Sequence, residues 1–181
     1  SRGLVSLKPR IGATVNDYRK EGSISLLASL IQYQKGKLEP ELLESLLEMR
    51  MHLEPVFARL AAQNRTEEQI RELYEIIHNE EDASSREIQK ITSLDFEFHL
   101  IIAMASGNVV YPLLLNSFRP VYTNLSSQFF HDPRVTAAVH KYHRNTARAI
   151  ESGDGKKAAS VMKELLRHGE THLRAMIDRD M

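Results

Sequence analysis

The chain has no cysteine, which excludes disulfides and thiolate metal sites and suits a reducing compartment such as the cytoplasm. It also has no long apolar run. The longest stretches are a few residues, far short of the roughly 20 that a membrane helix requires, so neither a membrane span nor a signal peptide is expected. Net charge is missing too, because Lys+Arg and Asp+Glu both number 24. A broad nucleic-acid-binding face would make the whole chain basic, and this one is not. Enzyme signatures are equally scarce. There is no Gly-x-Ser-x-Gly elbow, no phosphate loop and no dinucleotide fingerprint. No internal repeat or low-complexity tract is present.

What is there is an ordinary globular composition, 42% hydrophobic and 27% charged over 181 residues, enough to bury a proper core. The charge is unevenly placed. Residues 1–20 carry Arg2, Lys8, Arg10, Arg19 and Lys20 against Asp17 alone, so the remainder is net acidic. A basic stub of this kind can touch a phosphate backbone; the body cannot be expected to.

The first eighteen residues read as a hairpin. Leu4 to Leu7 and Ala13 to Val15 are apolar or β-branched, and Lys8-Pro9-Arg10-Ile11-Gly12 is the turn between them. Beyond Gly22 the strand signals vanish and helix punctuation begins. A first helix is expected from Ser23 to about Gln34. A long second one opens at Glu39-Pro40, and Pro55 within it should bend it. Thr66 and Gln69 form a capping box for the third, and Ser84-Ser85 cap a fourth that Gly107 stops. Asn108 opens a fifth, bent by Pro112 and Pro120. Asp132-Pro133 begins a sixth that Gly153 ends, and Asp154 opens the last. The expected fold is therefore all-α, an antiparallel bundle of about seven helices behind a short β-hairpin.

Among polar residues, Asp95 and His99 stand out. They lie four apart on one helix, hence on one face, beside the apolar stripe of Leu94, Phe98, Ile101 and Ile102. A carboxylate drawn toward a core needs a partner. Either another polar side chain or a divalent cation shared with His99 can supply it. Spacing alone favours the ordinary intrahelical hydrogen bond. Arg50 and Glu54 make a second same-face pair, either a salt bridge or a guanidinium presented to a ligand carboxylate. His140, His143, His168 and His172 could join from later helices, whereas His52, His78 and His131 have no evident partner.

Taken together, several of these residues form a recognisable pattern. Arg50-x-x-x-Glu54 with Leu60-Ala61-Ala62, Asp95-Phe96-Glu97-Phe98-His99 with Ser106-Gly107-Asn108, and His143 followed by Ile150 to Asp154 resemble the C-terminal (FCD) domain of FadR-like regulators in the GntR superfamily. The resemblance runs through nearly the whole helical body. It implies residues 1–18 as the wing and linker of a winged-helix DNA-binding domain, whose recognition helix lies outside this chain. Residues 19–181 would then be the effector-binding, dimerising domain. It further implies a homodimer that binds a small carboxylate or an acyl-CoA, with Arg50, Asn108 and Tyr122 at the effector, and that acts on operator DNA through the winged helix.

Relatives that hold a metal use one Asp and three His. Asp95, His99 and His143 match three of those positions. The fourth falls on Leu165, with His168 one turn further as its substitute. The imidazole content points to zinc or nickel. Two rival readings remain: a metal-dependent enzyme, which needs an open coordination position and a general base, and a structural dimerisation module whose core around Asp95 is filled.

Overall fold

A computed structural model describes residues 5–10, 12–23, 26 and 40–180. The contacts divide the chain into two units, residues 1–39 and residues 40–181. The helix expected from Ser23 to Gln34 lies almost wholly outside the described residues.

The first unit contains strands β1 (Val5–Lys8) and β2 (Gly12–Val15), followed by a short helix, α1 (Tyr18–Glu21). The strands pair antiparallel with Val5 opposite Val15 and Lys8 opposite Gly12, which is the hairpin the sequence announces. The turn needs two positive φ angles, 65° at Arg10 and 109° at Gly12. Glycine meets that requirement without strain. Val5, Leu7 and Val15 are exposed within this ribbon. A lone two-stranded ribbon is at best marginally stable in water.

The second unit is a bundle of seven helices: α2 (Pro40–Asn64), α3 (Glu67–Asp82), α4 (Ile88–Ala105), α5 (Val110–Ser117), α6 (Arg119–Phe129), α7 (Pro133–Glu151) and α8 (Gly155–Asp180). Their ends obey local chemistry. Thr66 and Gln69 close a full capping box on α3. The Asp132 side chain accepts from the Arg134 N–H at the start of α7, and Asp154 accepts from the Lys157 N–H at the start of α8. Gly107 and Gly153 sit at φ 77° and 75°, ending α4 and α7. Pro55 is buried inside α2 without ending it.

Two expectations are corrected. Ser84 does not cap α4; it belongs to the preceding turn, where its N–H donates to Glu87 Oε2 at 2.8 Å, and the helix starts at Ile88. The stretch from Asn108 to Phe130 is not one bent helix. It breaks at Phe118 into α5 and α6, with Pro120 in the first turn of α6, where proline costs nothing. The bundle of about seven helices expected from the sequence is thereby met by seven in the second unit, one of the expected helices being split in two and the one at 23–34 lying outside the described residues.

The core explains the order of packing. α4 packs against α2, α3, α5 and α6, and accordingly it buries residues on several faces rather than along one stripe. α2 and α8 pack extensively along each other. Ala58, Ala61 and Ala62 of α2 are fully buried, and Gly155 approaches so closely that a Cβ would lie 2.9 Å from the Arg59 carbonyl. No helix among the described residues is long and apolar enough to cross a membrane.

Candidate functional site

Pairs of residues four apart build the site, because that spacing stacks two side chains on one helix face. α2 presents Arg50 and Glu54, α4 presents Asp95 and His99, and α6 presents Tyr122 and Ser126. α7 and α3 add His143 and Glu80. Glu54, Glu80, Asp95, His99, Tyr122, Ser126 and His143 are all buried.

Asp95 is the hub. Its Oδ2 accepts from the Tyr122 hydroxyl at 2.9 Å and from the Ser126 hydroxyl at 3.2 Å, while its Oδ1 stands 3.6 Å from His143 Nε2. Arg50 Nη2 donates to the Tyr122 oxygen at 3.2 Å, and Arg50 Nε donates to Glu54 Oε1 at 2.5 Å. Burial pushes the Tyr122 hydroxyl well above its ordinary range; Arg50 opposes this and the carboxylates of Asp95 and Glu54 reinforce it. It therefore serves as a neutral donor. Burial works to raise the Glu54 carboxyl, but Arg50 and His99 outweigh it and hold it at about 2. Burial likewise disfavours the Arg50 charge, and Glu54 more than restores it.

Both histidines are oriented from behind by a carboxylate. His143 Nδ1 lies 2.9 and 3.0 Å from the two oxygens of Glu80, and its ring stacks on Phe98 at a centroid distance of 3.8 Å. His99 Nδ1 lies 2.5 Å from Glu54 Oε2, an ion-pair distance whose angle falls short of a well-formed hydrogen bond. A carboxylate only accepts, so Nδ1 of each ring carries a proton. His143 Nε2 is buried without a hydrogen-bond partner. Burial lowers the basicity of His143, but Glu80 and then Asp95 raise it net above the usual histidine value.

These facts test whether a divalent cation suits the residues. Asp95, His99 and His143 each offer one ligand atom, and those atoms all lie within 4.8 Å of one another. Glu54, Glu80 and Asp95 place three carboxylates in the cluster against the single fixed cation of Arg50. Buried carboxylates are costly without compensating positive charge. A dication held by Asp95, His99 and His143 would supply it. Histidine ligands backed by carboxylates are also how metal sites fix ring orientation. The donor set fits a divalent metal.

A cavity of about 40 Å³ lies beside the cluster. Arg50, Asp95, His99, Tyr122 and Ser126 line it, together with Leu47 of α2 and mainly apolar residues of α6, α7 and α8. A filled core, the mark of a purely structural module, is not what surrounds Asp95.

The structure brings together Arg50, Asp95, His99, Tyr122 and His143. It does not bring in the other two predicted site residues. Asn108 lies outside the cavity wall, where its Oδ1 accepts from the Val110 N–H at the start of α5. His168 is not among the converging ligands. Its ring packs against Phe129, Tyr142 and His172, at centroid distances of 6.1, 5.9 and 4.4 Å. Leu165, where the fourth histidine was aligned, does line the cavity. The sequence reading missed Glu80, Ser126 and Glu170, the last a carboxylate on the cavity wall.

Comparison with known proteins now decides the family. The FCD domain family matches residues 45–168. The chain belongs to the FCD domain family of GntR-type transcription regulators. This FCD chain is 30% identical over 179 residues to the HTH-type transcriptional regulator Mce2R of Mycobacterium tuberculosis, an overlap of 97% of the chain and 72% of that relative. It is 26% identical over 130 residues to the fatty acid metabolism regulator protein of Erwinia tasmaniensis, covering 72% of the chain and 52% of that protein. It thus spans about half of the second relative. Among solved structures, Streptococcus agalactiae GntR superposes with a TM-score of 0.62 at 26% identity, covering 92% of this chain and 74% of that one. The two curated relatives bear the names of regulators, the first of them a transcriptional regulator, and not of enzymes.

Proposed function

We propose that this FCD domain is the effector sensor of a dimeric, cytoplasmic transcription regulator. It holds a divalent cation, zinc or nickel, on Asp95, His99 and His143, and receives a small carboxylate beside it at Arg50. When bound, the cation offers a Lewis-acid site for a ligand oxygen. Arg50 supplies the paired donors a carboxylate prefers, and Tyr122 orients both Arg50 and Asp95. The observation that carries the reading is the convergence of three buried ligand atoms, with Asp95 and His99 also lining the cavity and a carboxylate behind each imidazole.

The cavity volume favours a small acid over an acyl-CoA, because about 40 Å³ is room for about three waters. The exposed Val5, Leu7 and Val15 support reading residues 1–18 as the wing of a winged helix whose remaining parts cover these side chains. Dimerisation is supported by the exposed apolar side chains of Met104, Val109, Val110 and Leu113. Effector binding in the cavity then biases the placement of the two DNA-binding domains on operator DNA.

The test is metal analysis of protein purified without chelator. Wild type is expected to retain a divalent cation, and His99→Ala and His143→Ala are each expected to lose it. A metal-free wild type that stays metal-free when zinc or nickel is added would end the metal part of this reading.

A further inference from the structure

Asp95 and His99 are buried, so whatever is held beside them must cross a wall of the bundle. The cavity and an outer cleft of about 320 Å³ share two wall residues, Leu47 of α2 and Glu170 of α8. A second hollow, between α2 and α5, shares Arg50 with the cavity. It holds about 10 Å³, no more than a single water requires, and Arg50 is pinned there by Glu54 and Tyr122. The cleft between α2 and α8 is the better route.

A clasp crosses that cleft. The Arg174 guanidinium of α8 bonds Glu170 one turn back at 2.8 Å and reaches over to Glu44 of α2. Glu44 and Arg174 line the cleft but not the cavity, which puts their bridge on the outer side of the wall. The wall behind it belongs to the same segment of α8, because Gly169, Glu170 and Leu173 all line the cavity. That segment starts at a weak point. Glycine is the poorest helix former after proline, and a Cβ at Gly169 would meet no neighbour within 4 Å. The Glu44 and Arg174 side chains are each 45% exposed, and an exposed ion pair holds only loosely. Such a tie can part locally while the core of the bundle stays folded.

Resting on the reading of this cavity as a sensor site, we infer that residues 169–174 of α8 form a latch over it. The Glu44–Arg174 bridge holds the latch shut, and its release admits an ion or small molecule between α2 and α8. The bridge sets the speed of exchange and leaves the strength of binding alone, because neither partner lines the cavity.

Glu44→Gln removes the bridge to α2 and leaves Arg174 its partner on α8. Zinc release from the loaded chain to excess chelator, and zinc uptake by the stripped chain, are followed by stopped flow. Both are expected to quicken by about two- to fivefold, the span of an exposed pair's contribution, with equilibrium zinc affinity unchanged. Added salt should quicken wild type and barely move the variant. Unchanged rates in a folded Glu44→Gln protein, or faster release with weakened affinity, overturn the latch. Amide hydrogen exchange gives a readout that needs no metal. Residues 170–175 should exchange faster in Glu44→Gln than in wild type, and residues 157–167 should not. If the chain takes up no zinc, the metal part of the sensor reading fails by itself. Faster exchange confined to 170–175 then upholds the latch, and equal exchange overturns it.

Discussion

Glu80 holds His143 from behind: its two carboxylate oxygens lie 2.9 and 3.0 Å from Nδ1, and the other ring nitrogen is left facing Asp95 without a hydrogen-bond partner. Glu80→Gln keeps the shape but loses the charge, and the amide can present its N–H₂ to the ring. Metal affinity is therefore expected to fall by about 10–100-fold, the usual effect of removing such a backing group. Competition with a chromogenic chelator measures it, with circular dichroism confirming that the helices persist. Unchanged affinity in a folded variant would show that His143 needs no such orientation.

Arg50 serves two masters, the cavity and Glu54. Arg50→Met strands a carboxylate that is nearly fully buried, 3% exposed, and loss of one partner from a buried pair costs about 3–5 kcal/mol. That penalty belongs to Glu54 rather than to any effector. The double variant Arg50→Met/Glu54→Gln is accordingly expected to be more stable in urea unfolding than Arg50→Met alone. If the double variant is no more stable, Glu54 is not the source of the loss.

The site was legible where chemistry rode on periodicity. Asp95 and His99 announced a polar face beside an apolar stripe, and Arg50 and Glu54 did the same on α2. Glu80 could have been found by the same logic, since the α3 stripe of Leu73 and Ile77 continues straight onto it. Glu170 could not. It sits among polar residues on α8, paired with Arg174, and no apolar stripe leads to it. His168 and Asn108 were assigned by resemblance rather than by a stripe, and neither joins Asp95, His99 and His143 or lines the cavity. The break at Phe118 was hidden because Pro120 can either bend a helix or begin one.

Two glycines of α8 should respond in opposite ways to the same change. At Gly155 an added Cβ would lie 2.9 Å from the Arg59 carbonyl, so α8 must move off α2. Gly155→Ala is expected to cost about 1–3 kcal/mol, as overpacking does. At Gly169 a Cβ meets nothing within 4 Å, and alanine there should stabilise the helix by about 1 kcal/mol. Thermal melts should move down for the first and up for the second. A lowered melting temperature for Gly169→Ala would mean that the open space beside it is not free.

The start of α7 should carry an acid-sensitive contribution. Hydrogen bonds from the Arg134 side chain and backbone hold the Asp132 carboxyl at about 2, against an unfolded value of about 3.9. A depressed carboxyl contributes stability above its unfolded pKa and loses it as pH falls through the folded one. Asp132→Asn keeps an acceptor for the Arg134 N–H but cannot titrate. Its stability should therefore fall less steeply than wild type's between about pH 4 and pH 2. Identical slopes in that window would show that Asp132 is not coupled to folding.

A dimer needs a face, and the bundle offers one. Met104, Val109, Val110 and Leu113 are exposed by 46%, 79%, 58% and 65%, an apolar cluster at the end of α4 and the start of α5. From Phe98 to Phe118 the sequence has no Asp, Glu, Lys or Arg. A patch with no charge meets its own copy across a two-fold axis without repulsion, and charge depletion marks the centre of such interfaces. Leu113→Glu would set two like charges near each other across that axis while leaving the core untouched, because Leu113 is mostly exposed. Sedimentation is expected to show a dimer for wild type and a monomer for Leu113→Glu, with the helical circular dichroism unchanged. A Leu113→Glu protein that remains dimeric would move the interface to another face of the bundle.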